Sequence, residues 1–286
     1  MKNCSRREFL RASALSSAAL LTAPSRLAHA PQRTIPIGVQ LYSVRSVFNN
    51  DVPGTLAGIK KIGYQAVEFA GYANYANDAK GLRQLLDDNG LKACGTHLPG
   101  ALGDVTGDNL DKTIEFNEVL GNNKLIVAHI SATTPDDWEK QADIFSGIAE
   151  KLKPRHMRIG YHNHTAEFTP LPDGRLIEDI FFGKASPDVF IQLDIGHCAH
   201  AGADPVAFIK KHAGRILSVH VKDWVPDTKG DILGAEGAIV KWPEVLAACQ
   251  PENGPQWLII EEESGKYDLL KGIELDFQNL AKLLPT

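Results

Sequence analysis

Short runs of apolar and β-branched residues alternate with amphipathic stretches from residue 35 to the end of the chain. Eight such runs predict strands: Ile35–Val44, Ala66–Gly71, Lys92–Leu98, Lys124–Ile130, Arg158–His164, Phe190–His197, Ile216–Asp223 and Trp257–Glu263. Apolar residues at helical spacing between or after the strands predict seven helices: Thr55–Ile62, Lys80–Asn89, Leu110–Leu120, Asp136–Leu152, Pro205–His212, Trp242–Ala248 and Leu269–Leu283. Nearly continuous apolar strands that alternate with helices are typical of parallel sheets. The pattern therefore predicts an α/β protein with a single (β/α)8 TIM barrel.

The main alternative is an open, doubly wound sheet. That fold normally has a glycine-rich phosphate loop after its first strand, and the segment Gln40-Leu41-Tyr42-Ser43 is not such a loop. The chain has 286 residues, and without its first thirty its length is close to the roughly 250 residues of a typical eightfold barrel. The barrel is the better prediction.

The first thirty residues differ from the rest of the chain and predict an export signal. Ser5-Arg6-Arg7-Glu8-Phe9-Leu10 resembles a twin-arginine motif, a mildly apolar run follows over 12–23, and Ala28-His29-Ala30 has the form of a cleavage site, although Pro31 would hinder the peptidase. We expect a signal peptide over 1–30, a barrel over 31–286 and a periplasmic protein. An ordinary basic helix is the alternative. The apolar run is too short to span a bilayer, so no stable membrane anchor is expected.

The charge of the predicted barrel argues against nucleic acid as a partner. The whole chain carries a formal charge of −5, and five basic residues and one acidic residue lie in the first thirty, which leaves −9 for residues 31–286. An acidic surface repels phosphate backbones.

Polar side chains concentrate where the predicted strands end. Six of the nine histidines beyond the first thirty residues lie at or near these ends: His97, His129, His162, His164, His197 and His220. A single histidine there is usually a hydrogen-bonded core residue, but the carboxyl ends of the strands form the active-site face of a TIM barrel. The six together predict a site.

The period-two alternation of strands separates the polar from the aliphatic residues. Gln192 and Asp194 share one face of the sixth strand, and His220 and Lys222 share one face of the seventh with Ser218. Gln40, Glu68, His97 and Glu261 have similar places on the first, second, third and eighth strands.

An aspartate, a histidine and two glutamates at one barrel mouth predict a divalent metal site. Mostly oxygen ligands with one imidazole suit Mn2+, Mg2+, Co2+ or a permissive Zn2+ site. The predicted ligands are Glu167, Asp194, His220 and Glu261, with His162 as the competitor of Glu167.

Several motifs, in this order and spacing, resemble the xylose isomerase-like TIM-barrel family of sugar phosphate isomerases and epimerases over almost the whole predicted barrel. The segments that carry the resemblance are 38–45 (GVQLYSVR), 63–64 with 67–71 (GY, VEFAG), 160–164 with 167–168 (GYHNH, EF), 193–197 (LDIGH), 220–223 (HVKD), 236–237 before Trp242 (EG), and 260–261 (IE). The resemblance implies a divalent metal held by two glutamates, an aspartate and a histidine. Asp194, His220 and Glu261 match three of these, and many relatives place the other glutamate where this chain has His162.

The residue types and the resemblance together predict a metal-dependent isomerase or epimerase. A bound cation would stabilise the enediolate of a ketose while a carboxylate removes the proton and another group returns it. The candidate catalytic residues are Glu167, Glu261, His162 and His197, and the candidate substrate-binding residues are Gln40, Glu68, His97, His164 and Lys222. No glycine-rich phosphate cradle or arginine cluster is evident, so we expect a free sugar or keto-sugar as the small-molecule partner.

Other functions stay open on the same sequence. A lyase or hydratase acting on 3-keto-glycosides or inososes would use the same metal site, and a non-catalytic sugar-binding barrel would need neither the metal nor the proton-transfer groups. A DNA-repair endonuclease of the same fold would need a three-zinc cluster and a basic face, and the charge of −9 and the export signal argue against it. Self-association into a homo-oligomer is compatible with the sequence.

Overall fold

The computed structural model describes residues 34–226, 230–250 and 252–284. The predicted signal peptide over 1–30 lies outside these residues, so export and the periplasmic location stay predictions from the sequence. Among the described residues, no helix is both long and apolar enough to cross a membrane.

Eight parallel strands close into one barrel in chain order, which confirms the predicted TIM barrel. The strands are β1 Ile37–Gln40, β2 Ala66–Phe69, β3 Lys92–His97, β4 Lys124–Val127, β5 Arg158–His162, β6 Phe190–Asp194, β7 Ile216–Val221 and β8 Trp257–Ile260. The barrel closes where β1 pairs with β8, with Gly38 opposite Ile259.

Ten helices are described, and each of the seven predicted helices corresponds to one of them. They are α1 Arg45–Asn50, α2 Val52–Ile62, α3 Ala79–Asp88, α4 Asn109–Leu120, α5 Pro135–Leu152, α6 Ile177–Lys184, α7 Ile195–His200, α8 Pro205–Lys211, α9 Trp242–Cys249 and α10 Leu269–Leu283. The strand–helix connections also contain short 3₁₀ turns, among them Leu41–Val44 and Ala166–Phe168.

All eight strands end earlier than the predicted strands do, and at β6 and β1 the polar side chain that ends the strand also starts a helical turn. The predicted sixth strand ran to His197, but β6 stops at Asp194, whose side chain accepts a hydrogen bond from the backbone N–H of His197 and caps α7. The same capping holds at β1, where the Gln40 side chain accepts from the backbone N–H of Tyr42 and the chain turns at Leu41.

The core has two compartments, on the two sides of the barrel wall. The larger one lies between the strands and the helices and contains the outward side chains Val67, Phe69 and Leu193. Two smaller clusters of buried residues are separate from it: Ala66, Cys94 and Ile259 in one, and Ile126, Phe190 and Leu217 in the other. Ala66, Phe190 and Ile259 lie two positions before the inward-facing Glu68, Gln192 and Glu261, so the clusters fill the barrel below the mouth.

Gly160 in β5 shows how tightly the barrel interior is packed. A Cβ at this position would lie 2.5 Å from the ring of Phe190, its partner across β5 and β6. Phe190 is fully buried, so its ring has little room to move.

We therefore expect Gly160→Ala to lower the free energy of unfolding by about 1–3 kcal/mol, the usual cost of overpacking a core. Gly147 is the matched control, because it is exposed in the interior of α5 and a Cβ there would meet no atom within 4 Å. Gly147→Ala should raise the stability by up to about 1 kcal/mol through helix propensity. Urea denaturation of both variants measures the difference, and equal stabilities would contradict this account of the packing.

Candidate active site

A cavity of about 190 Å³ opens at the carboxyl ends of the strands. Its lining comes from seven of the eight strands or the loops after them and consists of Tyr42, Ala70, His97, Ala128, His162, His164, His197, Glu261 and Glu263. The lining therefore combines imidazoles and carboxylates with small side chains. The volume is below the roughly 300–1,000 Å³ of pockets for drug-sized ligands, so it suits a small polar molecule.

Four side chains converge at the base of this cavity and could hold a metal ion. His162, Asp194, His220 and Glu261 each offer one ligand atom, and these atoms all lie within 4.8 Å of one another. The strand register brings them together, because Asp194 lies opposite His220 across β6 and β7. All four residues are buried.

Asp194 provides the structural test of whether a cation fits. Its Oδ1 accepts a hydrogen bond of 2.7 Å from the backbone N–H of His197, whereas its buried Oδ2 has no hydrogen-bond partner among the described residues. Burial raises the pKa of Asp194, and the nearby charge of Lys222 only partly offsets this effect. A buried acceptor without a partner costs free energy. A divalent cation among the four ligand atoms would satisfy it, so the donor set fits a metal.

His220 lies between two carboxylates. Its Nδ1 is 3.1 Å from Glu261 Oε2, and its Nε2 is 2.7 Å from Glu68 Oε2. Burial opposes protonation, but Glu261 and Glu68 outweigh it and raise the pKa of His220 to about 10. Without a metal, the imidazolium therefore balances part of the buried negative charge.

Gln40 and Glu68 were expected to bind substrate, but the structure places both beneath the cavity. Neither residue is exposed, and neither lines the cavity. Burial tends to raise the pKa of Glu68, yet the charges of His97 and His220 outweigh it and hold the pKa well below its usual range. Glu68 is thus an ionised carboxylate inside the barrel, beneath the cavity in which it was expected to bind substrate.

Lys222, also an expected substrate-binding residue, is buried and does not line the cavity. Its Nζ lies 3.6 Å from Glu261 Oε2 and forms an ion pair with Glu263. Although burial acts against the charged form, the neighbouring carboxylates raise the pKa of Lys222 above its usual value. Lys222 therefore holds the cavity's carboxylates in place rather than forming part of its wall.

Glu263 is a cavity residue that the sequence analysis did not identify. Its side chain is 27% exposed, lines the cavity and pairs with Lys222. The signal was present in the run Glu261-Glu262-Glu263, because the alternation that turns Glu261 inward also turns the residue two positions later inward.

Three expected histidines form one side of the cavity in a chain of ring contacts. The ring of His164 lies 5.0 Å from that of His162 and 5.1 Å from that of His197. Burial and the charge of Lys222 lower the pKa of His197 to about 3, so this ring is neutral at neutral pH. His97 also lines the cavity and stacks on His220.

Comparison with known proteins agrees with this architecture. A family model described as xylose isomerase-like TIM barrel matches residues 56–283. The chain belongs to this family.

Individual relatives are distant. The chain is 23% identical to the rhizopine catabolism protein MocC of Rhizobium meliloti, with 82% of this chain and 85% of that protein aligned. It is 28% identical to an inosose dehydratase of Clostridium beijerinckii, over only 31% of this chain and 29% of that enzyme. The solved structure of a sugar phosphate isomerase/epimerase from Parabacteroides distasonis superposes with a TM-score of 0.70 at 24% identity, covering 91% of this chain and 98% of that one.

Glu167, the first glutamate predicted for the family's metal set, does not lie with the other three predicted ligands. Its Oε1 accepts a hydrogen bond of 2.6 Å from the Tyr161 hydroxyl, and its Oε2 accepts one of 2.9 Å from the His164 backbone N–H. Tyr161 faces out of the barrel and packs against Trp138 and Phe181. Because side chains alternate along β5, His162 faces inward and takes the place among the ligand atoms.

The hydrogen bond from the Tyr161 hydroxyl to Glu167 indicates that Glu167 stabilises the fold and does not bind the metal. Removing the hydroxyl in Tyr161→Phe takes one donor from a buried carboxylate, so we expect a loss of about 1.5–3 kcal/mol in the free energy of unfolding. The control is Tyr72→Phe, whose hydroxyl is 3.2 Å from the neutral Asn117 amide nitrogen, and its loss should be about 0.5–1.5 kcal/mol. Chemical denaturation compares the two, and a Tyr161→Phe protein as stable as wild type would contradict the assignment.

Proposed function

We propose that the protein is a divalent-metal-dependent sugar isomerase or epimerase that acts on a free sugar or keto-sugar. The observation that carries the proposal is the buried, unpartnered Oδ2 of Asp194 within a group of four ligand atoms at the base of a polar cavity. The ligands in this proposal are His162, Asp194, His220 and Glu261. His162 thus replaces the Glu167 of the sequence prediction.

The proposed donor set has two imidazoles and two carboxylates. This mixture suits Zn2+, Co2+ or Mn2+ better than Mg2+, which prefers oxygen ligands. When bound, such an ion would polarise the carbonyl and the neighbouring hydroxyl of a ketose and make the adjacent C–H more acidic.

Glu261 is the proposed proton acceptor. It lines the cavity, and Lys222 and His220 outweigh its burial and hold its pKa well below the usual range. It is therefore ionised at neutral pH and accepts the substrate's α-proton to give an enediolate. Return of the proton to the neighbouring carbon gives an isomer, and return to the opposite face gives an epimer.

The composition of the cavity wall supports an uncharged substrate. Its described lining has no arginine or lysine, the residues that usually bind phosphate, and it holds two carboxylates, Glu261 and Glu263. A phosphate group would be repelled there. Imidazole and carboxylate groups are suited to hydrogen bonds with sugar hydroxyls.

The position of His162 favours a dehydratase or lyase as the second candidate. The carboxylate of Glu167 that would act opposite Glu261 is bonded to Tyr161, outside the cavity lining. Glu261 can remove the α-proton and then deliver it to the departing hydroxyl, which leaves as water, so a second carboxylate is not needed. The similarity to an inosose dehydratase supports this candidate for part of the chain.

Glu261→Gln tests the proton transfer. The amide keeps an oxygen but cannot accept a proton at neutral pH, so turnover and exchange of the substrate's α-proton with solvent deuterium should both fall by about 10²–10⁴-fold. Free ketoses, ketose phosphates and inososes are supplied to the metal-loaded protein, and NMR of the products separates isomer, epimer and dehydration product. Glu262→Gln is the matched control, since the Glu262 carboxylate accepts from Ser264 and does not line the cavity.

Two results would contradict the proposal. Wild-type exchange in folded, metal-loaded Glu261→Gln would remove Glu261 as the base. Sugar binding by the wild type without any exchange across the panel would instead indicate a non-catalytic sugar-binding barrel.

A further inference from the structure

A layer of polar side chains lies directly beneath the proposed metal ligands, with Glu68 at its centre. Glu68 Oε2 is 2.7 Å from Gln40 Nε2, 2.7 Å from His220 Nε2 and 3.1 Å from His97 Nε2. Glu68 Oε1 is 2.7 Å from Gln192 Nε2. Four nitrogens thus surround one buried carboxylate, which can only accept hydrogen bonds when ionised.

The backbone sets the direction of the first of these bonds. The backbone N–H of Tyr42 donates to Gln40 Oε1 over 3.1 Å. Since this end of the Gln40 amide accepts, its other end is the NH₂ group, which donates to Glu68 Oε2. The orientation of Gln40 therefore follows from a donor that cannot be reversed.

Glu68 also orients Gln192, and Gln192 in turn orients His162. Gln192 Nε2 donates to Glu68 Oε1, so the Oε1 of Gln192 faces His162 Nδ1 at 3.1 Å and His97 Nε2 at 2.6 Å. An oxygen acceptor requires a proton on each of these nitrogens. A neutral His162 with its proton on Nδ1 keeps the lone pair of Nε2 free to bind an ion.

His220 is oriented by Glu68 without an intermediary. Its Nε2 donates to Glu68 Oε2, so this nitrogen keeps its proton. Nδ1 faces Glu261 and the other ligand atoms, so it is the nitrogen that would lose its proton on binding a metal. The two ligand histidines thus use opposite ring nitrogens toward the proposed metal.

We propose that Glu68 is a positioning residue that sets the tautomers of both ligand histidines, His220 directly and His162 through Gln192. The proposal rests on the metal centre of the proposed function. Partners of this kind orient imidazole ligands and tune their basicity, and their loss typically weakens metal binding by about 10–100-fold.

The variant Glu68→Gln should change the hydrogen bonds of the layer, because a carboxylate accepts at both of its oxygens and an amide accepts at only one. Gln40 and His220 donate to Oε2 and only Gln192 donates to Oε1, so the amide oxygen should stay on the Oε2 side and its NH₂ should face Gln192. Gln192 must then turn its oxygen toward residue 68 and its NH₂ toward His162 Nδ1. This nitrogen becomes an acceptor, and the proton of His162 moves to Nε2, the nitrogen that should bind the metal.

The double variant Glu68→Gln/Gln192→Glu should reverse this change. The carboxylate at position 192 accepts from the new amide at position 68 and from His162 Nδ1, while the amide oxygen at position 68 accepts from Gln40 and His220. Every donor then has an acceptor, and the two substitutions leave the net charge of the layer unchanged. Ser218→Ala is the control, because Ser218 accepts from Gln192 Nε2 over 3.0 Å but has no bond to a ligand histidine.

Two measurements test the proposal in these proteins. Long-range ¹⁵N–¹H NMR of the metal-free protein reports which ring nitrogen of His162 carries the proton. We expect the proton on Nδ1 in wild type, on Nε2 in Glu68→Gln, and on Nδ1 again in the double variant. Competition with a chromophoric chelator gives the Zn2+ dissociation constant, which should rise about 10–100-fold in Glu68→Gln, recover in the double variant, and stay near the wild-type value in Ser218→Ala.

The outcomes separate this proposal from the proposed function. A wild-type protein that binds no metal would end the proposed metal chemistry, whereas the His162 tautomer would still test Glu68. A wild-type His162 with its proton on Nε2 overturns the proposal even if Glu68→Gln does not fold. Unchanged tautomer and Zn2+ affinity in folded Glu68→Gln, or no recovery in a folded double variant, also overturn it.

Discussion

The burial of negative charge at one end of the barrel is the constraint on which the site depends. Glu68, Asp194 and Glu261 are all buried, and an isolated carboxylate in such a place would be very costly. His97, His220 and two glutamine amides compensate Glu68, and Lys222 with His220 compensates Glu261. Asp194 accepts one hydrogen bond from a backbone N–H, and its other oxygen has no hydrogen-bond partner in the described part of the chain. A cation bound to this oxygen of Asp194 would satisfy it, which is why we propose a metal ion at the site.

The buried charges lie in successive layers along the inside of the barrel. Apolar clusters fill the interior near the amino ends of the strands, and the polar layer around Glu68 lies above them. The four ligand atoms come next, and the cavity with its histidine wall opens beyond them. The polar layer supports the ligand atoms above it, because His162 and His220 are held by hydrogen bonds to Gln192 and Glu68.

The alternation of side chains along strands predicted from the sequence which residues face the inside of the barrel mouth. It placed Asp194, His220 and Glu261 on one inward face, and the structure brings their ligand atoms together. The resemblance to the family also held over most of the chain. These predictions depend on local periodicity and on the order of motifs, both of which a sequence contains.

The remaining differences concern depth and loop direction, which periodicity does not encode. Glu68 faces inward as expected, but at a level where it meets His220 rather than a ligand in the cavity. Glu167 follows β5 in a 3₁₀ turn, and its direction depends on the distant packing of Tyr161. Helix α6 was not predicted, because five of its eight residues are buried and its sequence lacks a clear polar face.

Anomalous diffraction from crystals of the Zn2+-loaded protein would test the central claim most directly. Our account predicts one strong peak at the zinc edge, at bonding distances of about 2.0–2.2 Å from atoms of His162, Asp194, His220 and Glu261. A peak bonded to Glu167 and not to His162, or zinc bound in stoichiometric amount away from Asp194, would contradict it.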